Sequence, residues 1–125
     1  MKQKAILFKP KDGGATVIEL PTDLNEIYNL LEVDCIDIVK RKINGKAFQI
    51  ICDDVGLLKH KPIPSAVDFY GKTLFVGNLI LCGGRVTSDG DLTGLTDEEI
   101  GIINHSICRA VDTNGPYEVI FGVYS

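Results

Sequence analysis

Several features on which proteins commonly build chemistry are scarce or absent in this sequence. It has no tryptophan and only two histidines, and it contains no Cys-x-x-Cys pair and no glycine-rich phosphate-binding motif. Zinc sites use closely spaced cysteine and histidine ligands, and nucleophilic catalysis needs a base beside the nucleophile. We therefore expect no metal, no cofactor, no catalytic residue and no enzymatic activity.

Positive charge and long apolar runs are also in short supply. The 13 basic residues are outnumbered by 17 acidic ones, and the net charge is -4. Nucleic-acid duplexes are bound largely by neutralising their phosphates, so we expect no duplex partner. The apolar run 5–8 is too short for a signal peptide, and no run approaches the roughly 20 apolar residues of a membrane span. We therefore expect a cytoplasmic protein without a membrane partner.

The composition that remains is that of one globular domain. The chain has 125 residues, of which 45% are hydrophobic, so we expect a single domain over residues 1–125. Its four cysteines are far apart in the sequence, and three of them lie in apolar segments. We expect all four to be reduced thiols that act as small hydrophobic residues: Cys35, Cys52, Cys82 and Cys108.

Hydrophobic periodicity and turn signals predict the elements. Asn44-Gly45 separates two apolar segments and is a strong hairpin signal. Helices are predicted near 23–31 and 96–110, each with apolar residues at helical spacing after a capping residue. The first is capped by Thr22 or Asp23, and the second by Thr96 in a capping box with Glu99. The apolar face of the second consists of Ile100, Ile103, Ile107 and Val111. Strands are predicted over 4–8, 15–20, 35–43, 46–52, 73–76, 79–82 (continuing past Gly77-Asn78) and 117–124.

The predicted order is β-β-α-β-β-loop-β-α-β, in which strands and helices do not alternate regularly. This order favours an α+β fold with a mostly antiparallel sheet and both helices packed on one face. The apolar strand Tyr117–Tyr124 carries aromatic residues typical of interfaces. We expect it to pair across a two-fold axis, which would make the protein a homo-oligomer.

Three stretches resemble a known family. They are KAILFKP with TVIELP, FQIICDDVGLL with the proline loop KPIPSAV, and GNLILCG with LTGLTDEEI. Together, from Lys4 to Ile107, they resemble the domain of unknown function 3846, a family common in phages and mobile elements of Gram-positive bacteria. The sequence departs from the family at Pro64-Ser65-Ala66, where Asn-Arg-Ala is usual. The resemblance implies a mobile-element setting and no established activity.

Two irregular loops, 59–64 and 83–91, hold the candidate site. Cations in these loops would bind phosphate, nearby aromatic rings would stack on a base, and the backbone N–H groups of Gly83-Gly84-Arg85 could face an anion. If the loops converge, they form a site for a small anionic, nucleotide-like ligand. Otherwise they are two independent solvated loops. The candidate ligand-binding residues are Lys59, His60, Lys61, Tyr70, Asn78 and Arg85.

These observations favour a non-enzymatic accessory protein of a phage or mobile element that acts by binding. One specific form is sequestration of a small nucleotide signal used in host defence. The alternative is a protein-interaction module that inhibits or adapts a host protein. An enzyme using a cysteine is the third hypothesis.

Overall fold

The computed structural model describes residues 3–54, 63–113 and 115–125, which form ten strands and two helices. The strands are β1 (Lys4–Lys9), β2 (Gly14–Glu19), β3 (Ile36–Ile43), β4 (Lys46–Asp53), β5 (Pro64–Val67), β6 (Thr73–Val76), β7 (Leu79–Gly83), β8 (Ile107–Asp112), β9 (Gly115–Phe121) and β10 (Val123–Tyr124). The helices are α1 (Leu24–Leu31) and α2 (Asp97–His105). Within the described residues, neither helix is long and apolar enough to cross a membrane.

The strands form two sheets. A six-stranded sheet has the order β10-β3-β4-β7-β1-β2, and a four-stranded sheet has the order β6-β5-β9-β8. All neighbouring strands are antiparallel except β5 and β9, which are parallel. The predicted class, α+β and mostly antiparallel, is confirmed, although the prediction had one sheet where the protein has two.

The two helices pack on opposite faces of the six-stranded sheet. Ile6 belongs to a large core that contains Ile103 of α2 and residues of both sheets. Its neighbour Leu7 belongs to a smaller core that contains Ile27 of α1. Successive side chains of a strand point to opposite faces, so the expectation that both helices share one face is wrong. One face is covered by α2 and the second sheet, and the other by α1.

The helices begin where their capping residues predict. Asp23 is the N-cap of α1, and its carboxylate accepts a hydrogen bond from the backbone N of Glu26 at 2.8 Å. Thr96 and Glu99 form the expected capping box at the start of α2. Each of these contacts satisfies a backbone N–H that the first turn of a helix leaves without a partner.

The second helix ends five residues earlier than the expected boundary at residue 110. It stops at His105, and the residues from Ile107 onwards form β8. Strand β8 pairs with β9 over six positions, with Ile107 opposite Ile120. The apolar spacing that predicts a further helical turn is overridden by this ladder, because β-branched side chains also suit a strand.

Two glycines move the chain from one sheet to the other. Gly77, with φ 75°, separates β6 from β7, and Gly122, with φ 84°, separates β9 from β10. The predicted segments 73–82 and 117–124 are therefore each divided between sheets. Strand β9 lies inside its sheet between β5 and β8, whereas β10 lies at an edge of the six-stranded sheet. The expected pairing of Tyr117–Tyr124 across a two-fold axis stays a prediction.

Candidate binding cleft

The structure separates the described members of the predicted site. Lys59, His60 and Lys61 lie outside the described residues. Tyr70 is 97% exposed in the turn between β5 and β6, where its backbone N donates to Asp68 Oδ1 at 2.9 Å.

Asn78 has a structural partner away from Arg85. Its Nδ2 donates to Leu31 O at 3.5 Å and to Glu32 Oε2 at 3.4 Å, at the end of α1. Asn78 precedes β7 and Arg85 follows it, and a five-residue strand spans about 17 Å. The predicted grouping of Asn78 with Arg85 is therefore not observed, and Tyr70 does not line the cleft that contains Arg85.

Arg85 instead lines a cleft with Gly83, Gly84 and seven residues that the sequence did not predict as site residues. The cleft has a volume of about 510 Å³, within the range of small-molecule sites. Its lining contains two further cations, two threonines, a carboxylate and three glycines. The lining residues are Lys40, Lys46, Ala47, Gly83, Gly84, Arg85, Thr93, Gly94, Thr96 and Glu99.

Strand pairing brings the two lysines to Arg85. In the hairpin of β3 and β4, Lys40 lies opposite Gln49, and Gln49 in turn lies opposite Cys82 of β7. The start of β4, with Lys46, therefore lies beside the residues that follow β7. Gln49 Nε2 donates to Gly84 O at 3.3 Å and ties the hairpin to that segment.

The segment that follows β7 is fixed by an ordered arm over residues 84–94. Thr93 Oγ1 donates to Arg85 O at 2.6 Å, and the backbone N of Gly83 donates to Thr93 O at 2.9 Å. Because the Gly83 N–H is engaged, it is not available to an anion as the sequence-based interpretation proposed. Val86 and Leu92 form a bridge further along the arm, so this stretch is a hairpin-like projection.

Close backbone contacts explain two of the glycines in the lining. A Cβ on Gly84 would lie 2.7 Å from Ala47 C and closer still to Ala47 O. A Cβ on Gly94 would lie 2.7 Å from Gln3 Cβ and 3.0 Å from Lys4 N. Side chains at these positions would have to displace backbone, so the glycines allow the walls of the cleft to come together.

The start of α2 supplies the carboxylate of the lining. Glu99 is 8% exposed, and its Oε1 accepts from the backbone N of Thr96 at 2.8 Å. Thr96 Oγ1 accepts from the backbone N of Glu99 at 3.2 Å. The helix terminus is thus already capped by its own side chains, and binding of an anion in the cleft would depend on the cations.

No cysteine lines this cleft. None of the four cysteines, all of which are described, forms a disulfide; Cys35 and Cys108 are exposed, whereas Cys52 and Cys82 are buried. Burial, with smaller effects from nearby aspartates, raises the pKa of Cys52 to about 11. Burial raises the pKa of Cys82 to about 12. Both buried thiols are therefore protonated and weakly nucleophilic at neutral pH.

Elsewhere among residues 3–54, 63–113 and 115–125, no three His, Cys, Asp or Glu side chains come together as metal ligands would. His105, the one described histidine, is exposed in the last turn of α2.

The comparisons with known proteins identify one family. The family model described as domain of unknown function 3846 matches residues 1–108. No curated protein matches the chain. No solved structure matches it either.

Proposed function

Since the chain belongs to the family of the domain of unknown function 3846, whose name carries no activity, we propose from the geometry that it binds a small anionic ligand in the cleft. The observation that carries the proposal is the presence of Lys40, Lys46 and Arg85 in one lining. The lining contains no Cys or His among the described residues, so we propose binding without a chemical step.

The charge distribution supports this function. The chain as a whole repels anions, because its net charge is -4. A cleft with three cations and one carboxylate has a local excess of positive charge, and concave sites concentrate the field of their charges. Arginine and lysine donate charge-assisted hydrogen bonds to phosphate and carboxylate groups.

The biological form that we propose is sequestration, by a phage or mobile-element accessory protein, of a small anionic signal of host defence such as a nucleotide. A binding protein of this kind works by lowering the concentration of its ligand, and it needs an accessible cleft with charge complementarity.

Isothermal titration calorimetry with pyrophosphate and AMP tests the binding function. Arg85→Ala and Lys46→Ala should each weaken binding about tenfold, at the lower end of the range for a charged hydrogen bond, because both side chains are exposed and screened by salt. Affinity should also fall as salt is raised. Lys42→Ala is the matched control, since Lys42 is an exposed cation of the same hairpin outside the lining.

Two results would contradict the assignment. If neither pyrophosphate nor AMP binds to the wild type at low salt, the proposed function is wrong. If Lys42→Ala and Arg85→Ala lose the same affinity, only the general charge of the protein matters and the cleft is not the site. All variants should keep the wild-type melting temperature, so that a loss of affinity is not a loss of fold.

A different observation favours protein interaction as the second candidate function. Phe69 is 60% exposed, with its ring centroid 6.0 Å from that of Phe121 and 5.8 Å from that of Tyr124. Tyr70 follows Phe69 and is almost fully exposed. Aromatic residues are enriched in protein interfaces, so this cluster suits a module that inhibits or adapts a host protein. Failure of the anion titrations would favour this function over the first.

A further inference from the structure

The cleft has two chemically different parts, and this difference restricts what it can hold. Lys40, Lys46 and Arg85 come from the hairpin of β3 and β4 and from the segment after β7, whereas Thr96 and Glu99 come from the start of α2. An anion placed against the cations is attracted, but an anion placed against Glu99 is repelled. A ligand that fills the cleft therefore needs a different group at its second end.

Glu99 has one oxygen available for that group. Its Oε1 is engaged by the backbone N of Thr96, whereas Oε2 accepts no hydrogen bond from the described residues. A carboxylate oxygen only accepts hydrogen bonds. The part of the ligand near Glu99 must consequently carry hydrogen-bond donors, such as hydroxyl groups, and Thr96 adds a hydroxyl beside it.

The described lining contains no aromatic side chain. Recognition of a nucleobase commonly relies on stacking, which changes affinity by roughly one to two orders of magnitude per base. The exposed aromatic residues Phe69 and Tyr70 belong to the turn that follows β5 and do not line the cleft. The cleft therefore lacks the group that would make a base preferable to a bare sugar.

We propose that the ligand of the cleft is a phosphorylated polyol of the sugar phosphate class, held by its phosphate at Lys40, Lys46 and Arg85 and by its hydroxyl groups at Glu99. This inference rests on the proposed function, because it assigns a ligand class to the same cleft. It narrows that function: a nucleotide binds through its sugar phosphate, and its base adds little.

The variant Glu99→Gln separates this ligand class from general anion binding. Glutamine also completes a capping box, so α2 should remain capped while the acceptor charge is lost. Calorimetry at low salt would compare inorganic phosphate, ribose 5-phosphate and AMP. In the wild type, ribose 5-phosphate should bind about tenfold more tightly than inorganic phosphate, because its hydroxyl groups reach a charged acceptor. AMP should bind within about threefold of ribose 5-phosphate, because stacking is absent.

In Glu99→Gln, the preference for ribose 5-phosphate over inorganic phosphate should fall close to one, and inorganic phosphate should bind more tightly because a like charge is gone. Glu98→Gln is the matched control: it removes the same charge at the adjacent, exposed position outside the lining and should keep the preference. The inference is overturned if Glu98→Gln and Glu99→Gln behave alike, or if AMP binds tenfold more tightly than ribose 5-phosphate. If phosphate binding depends on Arg85 but shows no preference for ribose 5-phosphate, the sugar phosphate class is wrong and the anion-binding function stands. If none of the three probes binds, both the ligand class and the proposed function are wrong.

Discussion

A single methyl group at Gly84 should destabilise the protein, and the contacts around this residue indicate by how much. The ideal Cβ of an alanine would lie 2.7 Å from Ala47 C and 3.0 Å from Ala47 Cβ. Two of the three nearest atoms belong to the backbone of the neighbouring strand, which cannot rotate away as a long side chain can. Strands β4 and β7 would have to separate locally.

The expected cost follows from overpacking in other proteins, which is about 1–3 kcal/mol for an inserted methyl or methylene group. We expect about 2 kcal/mol here, because the obstruction is backbone. Unfolding entropy is about 2.1 cal/mol/K per residue, so a chain of 125 residues has roughly 0.26 kcal/mol/K. Gly84→Ala should therefore lower the melting temperature by about 8 °C.

Gly101→Ala is the matched control. Gly101 lies within α2, and no atom lies within 4 Å of the position of its added Cβ. Glycine in a helix is roughly 0.5–1 kcal/mol less favourable than alanine, so this variant should raise the melting temperature by about 2–4 °C. Differential scanning calorimetry measures both. A melting temperature of Gly84→Ala equal to or above that of the wild type would refute the argument from close backbone contact.

The remaining predictions concern two buried groups, the thiols and Ser65, and one side-chain hydrogen bond, that of Thr93. The raised pKa values of Cys52, about 11, and Cys82, about 12, contribute stability that is complete below the unfolded value of 9.0 and is lost as pH rises through these values. In urea titrations between pH 9 and 11, Cys82→Ala should lose stability less steeply than the wild type, by up to about 1.4 kcal/mol per pH unit; identical slopes would contradict this. Ser65 Oγ is buried without a hydrogen-bond partner among the described residues, so Ser65→Ala should leave the free energy of unfolding unchanged or raise it. Thr93→Ala removes the 2.6 Å hydrogen bond to Arg85 O and should lower the free energy of unfolding by about 1 kcal/mol. A loss of the same size in Ser65→Ala would contradict the prediction for Ser65, because it would show that the serine hydroxyl has a partner.

Local signals in the sequence predicted the local structure well. Asn44-Gly45 forms the turn between β3 and β4, with Asn44 at φ 50° and Gly45 at φ 81°. Thr96 caps α2 as expected, and Asp23, one of the two candidates with Thr22, caps α1. Each of these features depends on residues within a few positions of one another, so a short window of sequence contains the whole cause.

The end of α2 shows where such a window is insufficient. The backbone N of Ser106 donates to Ile103 O at 3.0 Å, and its hydroxyl donates to Ile102 O at 2.9 Å, as in a last helical turn. Ser106 O instead accepts from the backbone N of Phe121 at 2.8 Å. A partner 15 positions away therefore ends the helix, and the spacing of the isoleucines does not indicate this contact.

The division into two sheets could not be predicted from the glycines at which it occurs. Gly77 was recognised as an interruption, whereas Gly122 lay inside a strand predicted as continuous, and both have positive φ. A glycine in a strand is compatible with a bulge, a bend or a change of sheet. The choice between these depends on which strands lie on either side, and β6, β7, β9 and β10 find their neighbours through contacts distant in sequence.

The same distinction explains why one cation of the cleft was predicted and two were not. Arg85 follows two glycines in an irregular stretch, which made it conspicuous as a candidate. Lys40 and Lys46 belong to the regular strands of one hairpin, and a hairpin by itself makes no cleft, so neither was predicted as a site residue. They acquire a role because β4 pairs with β7 in the register that sets Gln49 opposite Cys82, which brings the hairpin alongside the segment that carries Arg85. A binding residue can be predicted from sequence when its neighbours in the chain form an irregular, glycine-marked stretch. A residue in a regular strand cannot be predicted in this way when only the pairing of a distant strand places it in a cleft.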